Sequence, residues 1–114
     1  MKRIETYFYC NSSGKEPVRD FLQDFSKEDK KIIGCDIKTV EYGWPIGMPV
    51  CKPLGGGLYE VRSTISSGRE VRIIFCIETN KMILLHGFIK KSQKTPEKDL
   101  ELAKKRKKEV TDHE

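Results

Sequence analysis

Apolar and aromatic residues alternate loosely with polar ones over residues 4–9, which predicts a short first strand. Asn11, Ser12, Ser13 and Gly14 form a turn cluster, and Pro17 follows where a first helical residue tolerates its missing N–H. Val18, Phe21, Leu22 and Phe25 then recur at i, i+3, i+4 and i+7, one face of an amphipathic helix. Ser26 with Asp29 three residues on resembles a capping box, so a second helix starts at once. Its buried face is Ile33, Ile37 and Val40, with Ile32 flanking and Gly43 as the stop. Residues 44–57, with Pro45, Pro49, Pro53 and the triplet Gly55-Gly56-Gly57, read as loop. Three β-rich runs follow at 58–65, 70–78 and 82–91, the last apolar on both faces as in a central strand. Thr95-Pro96 reads as N-cap and first position of a final helix. Glu97 and Asp99 fall in its first turn and the basic run Lys104 to Lys108 in its last, matching the helix dipole. The order β-α-α-β-β-β-α predicts one α+β domain over 1–114: two N-terminal helices on a small, twisted, mostly antiparallel sheet, plus a C-terminal helix.

The register of the second hairpin carries the first chemical hint. Ser66-Ser67-Gly68 suits a three-residue loop with Gly68 left-handed, which pairs Ile65 with Arg69 and places Arg62 opposite Arg72. One face then holds Tyr59, Val61, Ile73 and Phe75, and the other Glu60, Arg62, Arg72 and Ile74. A one-residue shift would mix apolar and charged groups on both faces. Two arginines directly opposite each other require either screening by Glu60 and Glu70 on a wet face, or an anion such as a phosphate.

Composition narrows the classes. The 114 residues carry 22 Lys plus Arg against 17 Asp plus Glu, a net +5. No apolar run approaches the ~18–20 residues of a membrane span, and MKRIETYFYC lacks the apolar core of a signal peptide. Cytoplasmic location, with no membrane partner, is the expectation. Cys10, Cys35, Cys51 and Cys76 are widely spaced, with no CxxC and no nearby histidine, so neither a zinc site nor a disulfide framework is expected. No metal or other cofactor is called for. Gly55-Gly56-Gly57 lacks the GK[ST] ending of a phosphate loop and precedes a strand. His113 lies in a polar tail with no site to join. Residues 1–85 hold thirteen basic and eleven acidic side chains, a net +2, whereas 86–114 hold nine and six, a net +3. Such a footprint fits nucleic acid, and a solvated helix end explains the KKRKK run at 104–108 equally well.

GLYEVR at 57–62, VRIIF at 71–75 and above all LLHGFIKKSQKTP at 84–96 resemble the phage-derived, HigB-like branch of the RelE/HigB toxin superfamily. Pro53-Leu54 leading into the glycines fits as well, and the likeness is strongest over residues 54–103. It implies a toxin of a type II toxin–antitoxin system, an endoribonuclease (mRNA interferase) that cleaves mRNA on the translating ribosome. No metal is involved: the 2′-OH attacks the adjacent phosphate. The implied partners are mRNA, the ribosome and a helix-turn-helix antitoxin, with DNA reached only through the antitoxin. By motif position the resemblance makes Arg72 the principal transition-state cation, with Arg62 beside it and Lys90, Lys91 and Lys94 on the backbone or leaving group. Lys104, Lys105 and Arg106 extend the RNA-binding surface. Glu60 and His86 compete as proton acceptor: cationic neighbours weaken Glu60, and histidine suits proton transfer near neutrality. A three-residue loop at Thr79-Asn80-Lys81 would set His86 beside Ile74 on the arginine face, while other loops would turn it into the core. The alternative is a non-catalytic protein of the same fold that binds RNA, ribosome or antitoxin.

Overall fold

The first two helix starts follow from local chemistry. Pro17 opens α1 (Pro17–Gln23), and the Ser26 side chain accepts a hydrogen bond from the Asp29 N–H at 3.1 Å to open α2 (Lys27–Gly43). The strands are β1 (Glu5–Phe8), β2 (Cys51–Gly55), β3 (Leu58–Thr64), β4 (Glu70–Glu78) and β5 (Lys81–Ile89), and α3 (Glu97–Asp112) closes the chain. The computed structural model describes residues 1–112; His113 lies outside the described residues.

The sheet corrects the expected architecture. It has five strands in the order β1-β5-β4-β3-β2, and it is mixed, because β1 pairs parallel to β5 while the other neighbours are antiparallel. The added strand, β2, lies in the proline- and glycine-bearing segment read as loop. Pro53 is tolerated there because β2 is an edge strand, where a missing N–H breaks no interior ladder. A bulge between Pro53 and Gly55, and positive φ at Gly55, Gly56 and Gly57 (89°, 63° and 80°), turn the chain back into β3. A long helical connection frees β1 from any hairpin constraint, so it docks beside the doubly apolar β5, and β5 becomes interior.

Both faces of the sheet are covered. Val18, Ile33 and Val40 from α1 and α2 pack with Val61, Ile73, Phe75 and Leu84 on one side. Leu58, Ile74, Cys76, Ile83 and Leu85 pack with Ala103 of α3 on the other. The final helix starts at Glu97, one residue later than expected, and runs on to Asp112, so the basic run 104–108 occupies its middle and its last turn carries no basic residue. No helix among the described residues is long and apolar enough to cross a membrane.

An irregularity in β5 sets the position of His86. Thr79 and Asn80, with φ of 49° and 65°, form a two-residue turn, so Glu78 pairs with Lys81 rather than with Met82. A bulge then leaves Leu85 without an opposite residue and brings His86 opposite Ile74 and Phe88 opposite Arg72. The expected placement of His86 is reached through a bulge rather than a three-residue loop. After the bulge, Gly87 faces α1, and a Cβ there would lie 2.5 Å from Phe21 Cδ2. Gly87→Ala therefore destabilises the fold by about 1–3 kcal/mol through overpacking. Urea unfolding checks this, and an unchanged midpoint would contradict it.

Candidate functional site

The predicted hairpin register holds. The Ile65 N–H donates to the Arg69 carbonyl at 3.0 Å, Gly68 has φ of 86°, and Arg62 stands opposite Arg72. With β5 added, three rows cross the α3 side of the sheet. Glu60, Ile74 and His86 form one, and Arg62, Arg72 and Phe88 the next. In the third, Thr64 faces Glu70, whose carbonyl accepts from the Lys90 N–H at 2.8 Å.

Glu60 and Glu70 do screen the opposed arginines, but on a buried face rather than a wet one. Glu60 is 0% exposed and Arg72 is 2% exposed. Arg72 Nη1 donates to Glu60 Oε1 at 2.8 Å, and Arg72 Nη2 donates to Glu70 Oε1 at 2.6 Å. Arg62 Nε lies 3.5 Å from the same Glu60 oxygen, and Lys90 Nζ lies 3.6 Å from Glu70 Oε2. One buried carboxylate shared between two guanidinium groups offsets the repulsion that the opposed arginines would otherwise feel. The second oxygen of Glu60 accepts from the Thr95 hydroxyl at 2.9 Å. That bond ties the segment between β5 and α3 to the buried carboxylate. The Thr95 hydroxyl is thus spent on Glu60, and the Asp99 and Leu100 N–H groups of α3 donate to the Pro96 carbonyl. The Nε atoms of Arg62 and Arg72 are buried with no hydrogen-bond partner.

Glu70 differs from Glu60 in being accessible, with 39% of its side chain exposed. The hydrogen bond from Arg72, aided by Lys90, holds its carboxyl below the ordinary glutamate range.

His86 Nε2 lies 2.6 Å from Asp99 Oδ1, and its ring stacks on Phe88 with centroids 5.8 Å apart. Asp99 was visible in the sequence only as an acid in the first turn of a helix. The signal that finds it is the stripe Asp99, Ala103, Arg106 and Val110 at i, i+4, i+7 and i+11, which turns Asp99 toward the sheet with the buried Ala103.

The lysines divide. Lys90 joins the network through Glu70. Lys91 is exposed and, with Lys90, Arg69, Ser92 and Gln93, lines an adjoining open cavity of about 460 Å³, while Lys94 is exposed just beyond. Lys104 is exposed and paired with Glu101 at 3.3 Å, and Lys105 is exposed. Neither touches the network. Arg106 is half-buried rather than free on the surface: its Nη1 donates to the Leu85 carbonyl at 2.8 Å and its guanidinium lies 5.4 Å from the Tyr9 ring centre. It satisfies the carbonyl at the bulge and fastens α3 to the sheet. The Tyr9 hydroxyl donates to Glu109 in the same region, and burial together with that carboxylate pushes the phenol up to about 12.

Residues 20–108 match the family described as "Phage derived protein Gp49-like (DUF891)". The chain belongs to this family. The matched span runs from within α1 to within α3 and contains every residue of the ion network. No curated protein matches the chain. In this Gp49-like chain, among the described residues, no group of three or more His, Cys, Asp or Glu side chains could hold a metal ion. Cys51 and Cys76 are buried, Cys10 and Cys35 are exposed, and none forms a disulfide.

The lowered Glu70 carboxyl fixes the sign of a pH effect. A folded-state value below the unfolded one stabilises the fold above the unfolded value, about 4.3, and that contribution disappears as pH falls through the folded value. Wild type is therefore more stable than Glu70→Gln at pH 6–7, and the gap closes as pH falls below about 4.3. Urea unfolding at a series of pH values measures it, and a gap independent of pH would contradict the assignment.

Proposed function

We propose that this Gp49-like chain is the toxin of a type II toxin–antitoxin system and an endoribonuclease that cuts mRNA in the cytoplasm, on the translating ribosome. A helix-turn-helix antitoxin restrains it and provides its only route to DNA. The observation that carries the reading is the gathering of Arg62, Arg72 and Lys90 on one sheet face with His86 as a diagonal neighbour of Arg72. Diagonal neighbours on a sheet lie roughly 7–8 Å apart, a span that a ribose 2′-oxygen and its phosphoryl group would have to bridge.

The reaction requires no cofactor, because RNA supplies its own nucleophile. As the 2′-oxygen bonds to phosphorus, the bond to the 5′-oxygen breaks, leaving a 2′,3′-cyclic phosphate and a 5′-hydroxyl. Negative charge builds on the phosphoryl oxygens, and cations already held in place stabilise it without reorganising. Glu60 holds Arg72 in position from the buried side. Glu70 is the exchangeable partner: a phosphoryl group that displaces its carboxylate finds Arg72 Nη2 and Lys90 Nζ already converged on one anion. Glu60 is ill suited as the base, since its oxygens already serve Arg72, Arg62 and Thr95. His86 takes that role.

The same network favours a second reading. An arginine bound by two carboxylates also describes a purely structural ion pair, as expected of a non-catalytic protein that binds RNA, ribosome or antitoxin. Arg72→Ala does not separate the two, because it strands a buried carboxylate. Lys90→Ala does, since Lys90 lies at the rim. Inducible expression with mapping of mRNA 5′ ends should show growth arrest and new cuts with wild type. Cleavage by Lys90→Ala should fall about 10²–10³-fold, as on removal of one transition-state donor. Wild type that binds RNA yet neither arrests growth nor cuts translated mRNA would establish the second reading instead.

A further inference from the structure

Four features aim His86. The bulge at Leu85 turns His86 toward α3, the side opposite the one that Gly87 shares with Phe21. Arg106 secures the bulge by donating to the Leu85 carbonyl. Asp99, 9% exposed and anchored by its own N–H to the Pro96 carbonyl at 3.1 Å, accepts from His86 Nε2. The Phe88 ring then fixes the plane of the imidazole. The segment that carries Asp99 is the one whose Thr95 is bonded to Glu60, so a single stretch of five residues sets both the cations and the histidine.

A carboxylate oxygen offers only lone pairs, so the proton of the neutral ring is assigned to Nε2. We propose that Asp99 is a positioning residue that holds His86 with its proton on Nε2, leaving Nδ1 as the atom that takes the proton of the RNA 2′-hydroxyl. The proposal rests on the cleavage reading above and names the group that reading needs. In the step, the Nδ1 lone pair accepts the 2′-O–H proton while the 2′-O–P bond forms and the bond from phosphorus to the 5′-oxygen breaks. The imidazolium keeps its Nε2–H on Asp99. The leaving 5′-oxygen takes a proton from the Lys90 ammonium, and solvent returns the two groups to their starting states. An orienting carboxylate of this kind contributes by fixing the tautomer and steadying the imidazolium, without itself becoming protonated.

The chain has only two histidines, so ¹⁵N-histidine labelling yields two imidazole patterns, and His86→Gln assigns them. In wild type at pH 8, His86 should show the Nε2–H tautomer alone. Asp99→Ala should give a mixture of tautomers and lower kcat on a defined mRNA with translating ribosomes at least tenfold, with KM changed less than twofold. Asp99→Glu should recover part of both. If Asp99→Ala fails to fold, the wild-type tautomer and the Asp99→Glu kinetics still decide the matter. An Nδ1–H or mixed tautomer in wild type overturns the proposal whatever the activity. A tautomer lost in Asp99→Ala with kcat unchanged overturns the role of Asp99 alone and leaves cleavage standing. A fixed tautomer in a wild type that cuts no RNA overturns the cleavage reading itself, and the proposal with it.

Discussion

Glu60 lies on an interior strand with no exposure to solvent, and its two oxygens serve Arg72, Arg62 and Thr95. Removing a carboxylate and a guanidinium from water costs several kcal/mol per ion even after relaxation, and only close, well-directed bonds offset that penalty. The 2.8 Å contact between Arg72 and Glu60 and the 2.6 Å contact between Arg72 and Glu70 supply them. This one buried carboxylate has three consequences. Two arginines are held side by side on adjacent strands, the segment before α3 is fastened across the sheet through Thr95, and Asp99 is thereby delivered to His86.

The network separates fixed from exchangeable partners. Glu60 cannot leave Arg72 without stranding a buried charge, so it acts as scaffold. Glu70, at the start of β4 and partly in solvent, can leave with its charge hydrated, and under the proposed function its carboxylate stands where the RNA phosphate would lie between Arg72 and Lys90. A binding site whose cations are preset, with a displaceable internal anion, avoids both reorganisation on binding and bare positive charge in the free protein. Arg106 shows the limit of reading function from charge: it belongs to a run of five basic residues, yet it is spent on the Leu85 carbonyl and the Tyr9 ring.

Local chemistry in the sequence carried the β3–β4 hairpin. Ser66-Ser67-Gly68 and the sorting of apolar from charged residues set the register that places Arg62 opposite Arg72, and Ser26 with Asp29 set the start of α2. What the sequence hid depends on distant partners. β2 is a strand only because β3 offers it an edge, and nothing in its prolines and glycines says so. The buried Glu60 that pairs with Arg72 takes its second bond from Thr95, 35 residues away in the chain. His86 reaches its place through a bulge that no turn signal announces. Asp99, legible as a favourable charge at a helix start, acquires its partner only when α3 lies against β5.

The central claim is that Glu60 and Arg72 form one coupled, buried pair that organises the site. A double-mutant cycle with Glu60→Met, Arg72→Met and the double variant, read by urea unfolding, tests it most directly. Each single variant should lose about 3–5 kcal/mol, because each removes one partner of a buried ion pair. The double variant should be more stable than the two losses together imply, by more than about 2 kcal/mol. Losses that simply add, within about 0.5 kcal/mol, would mean that the two residues act independently and would contradict the claim.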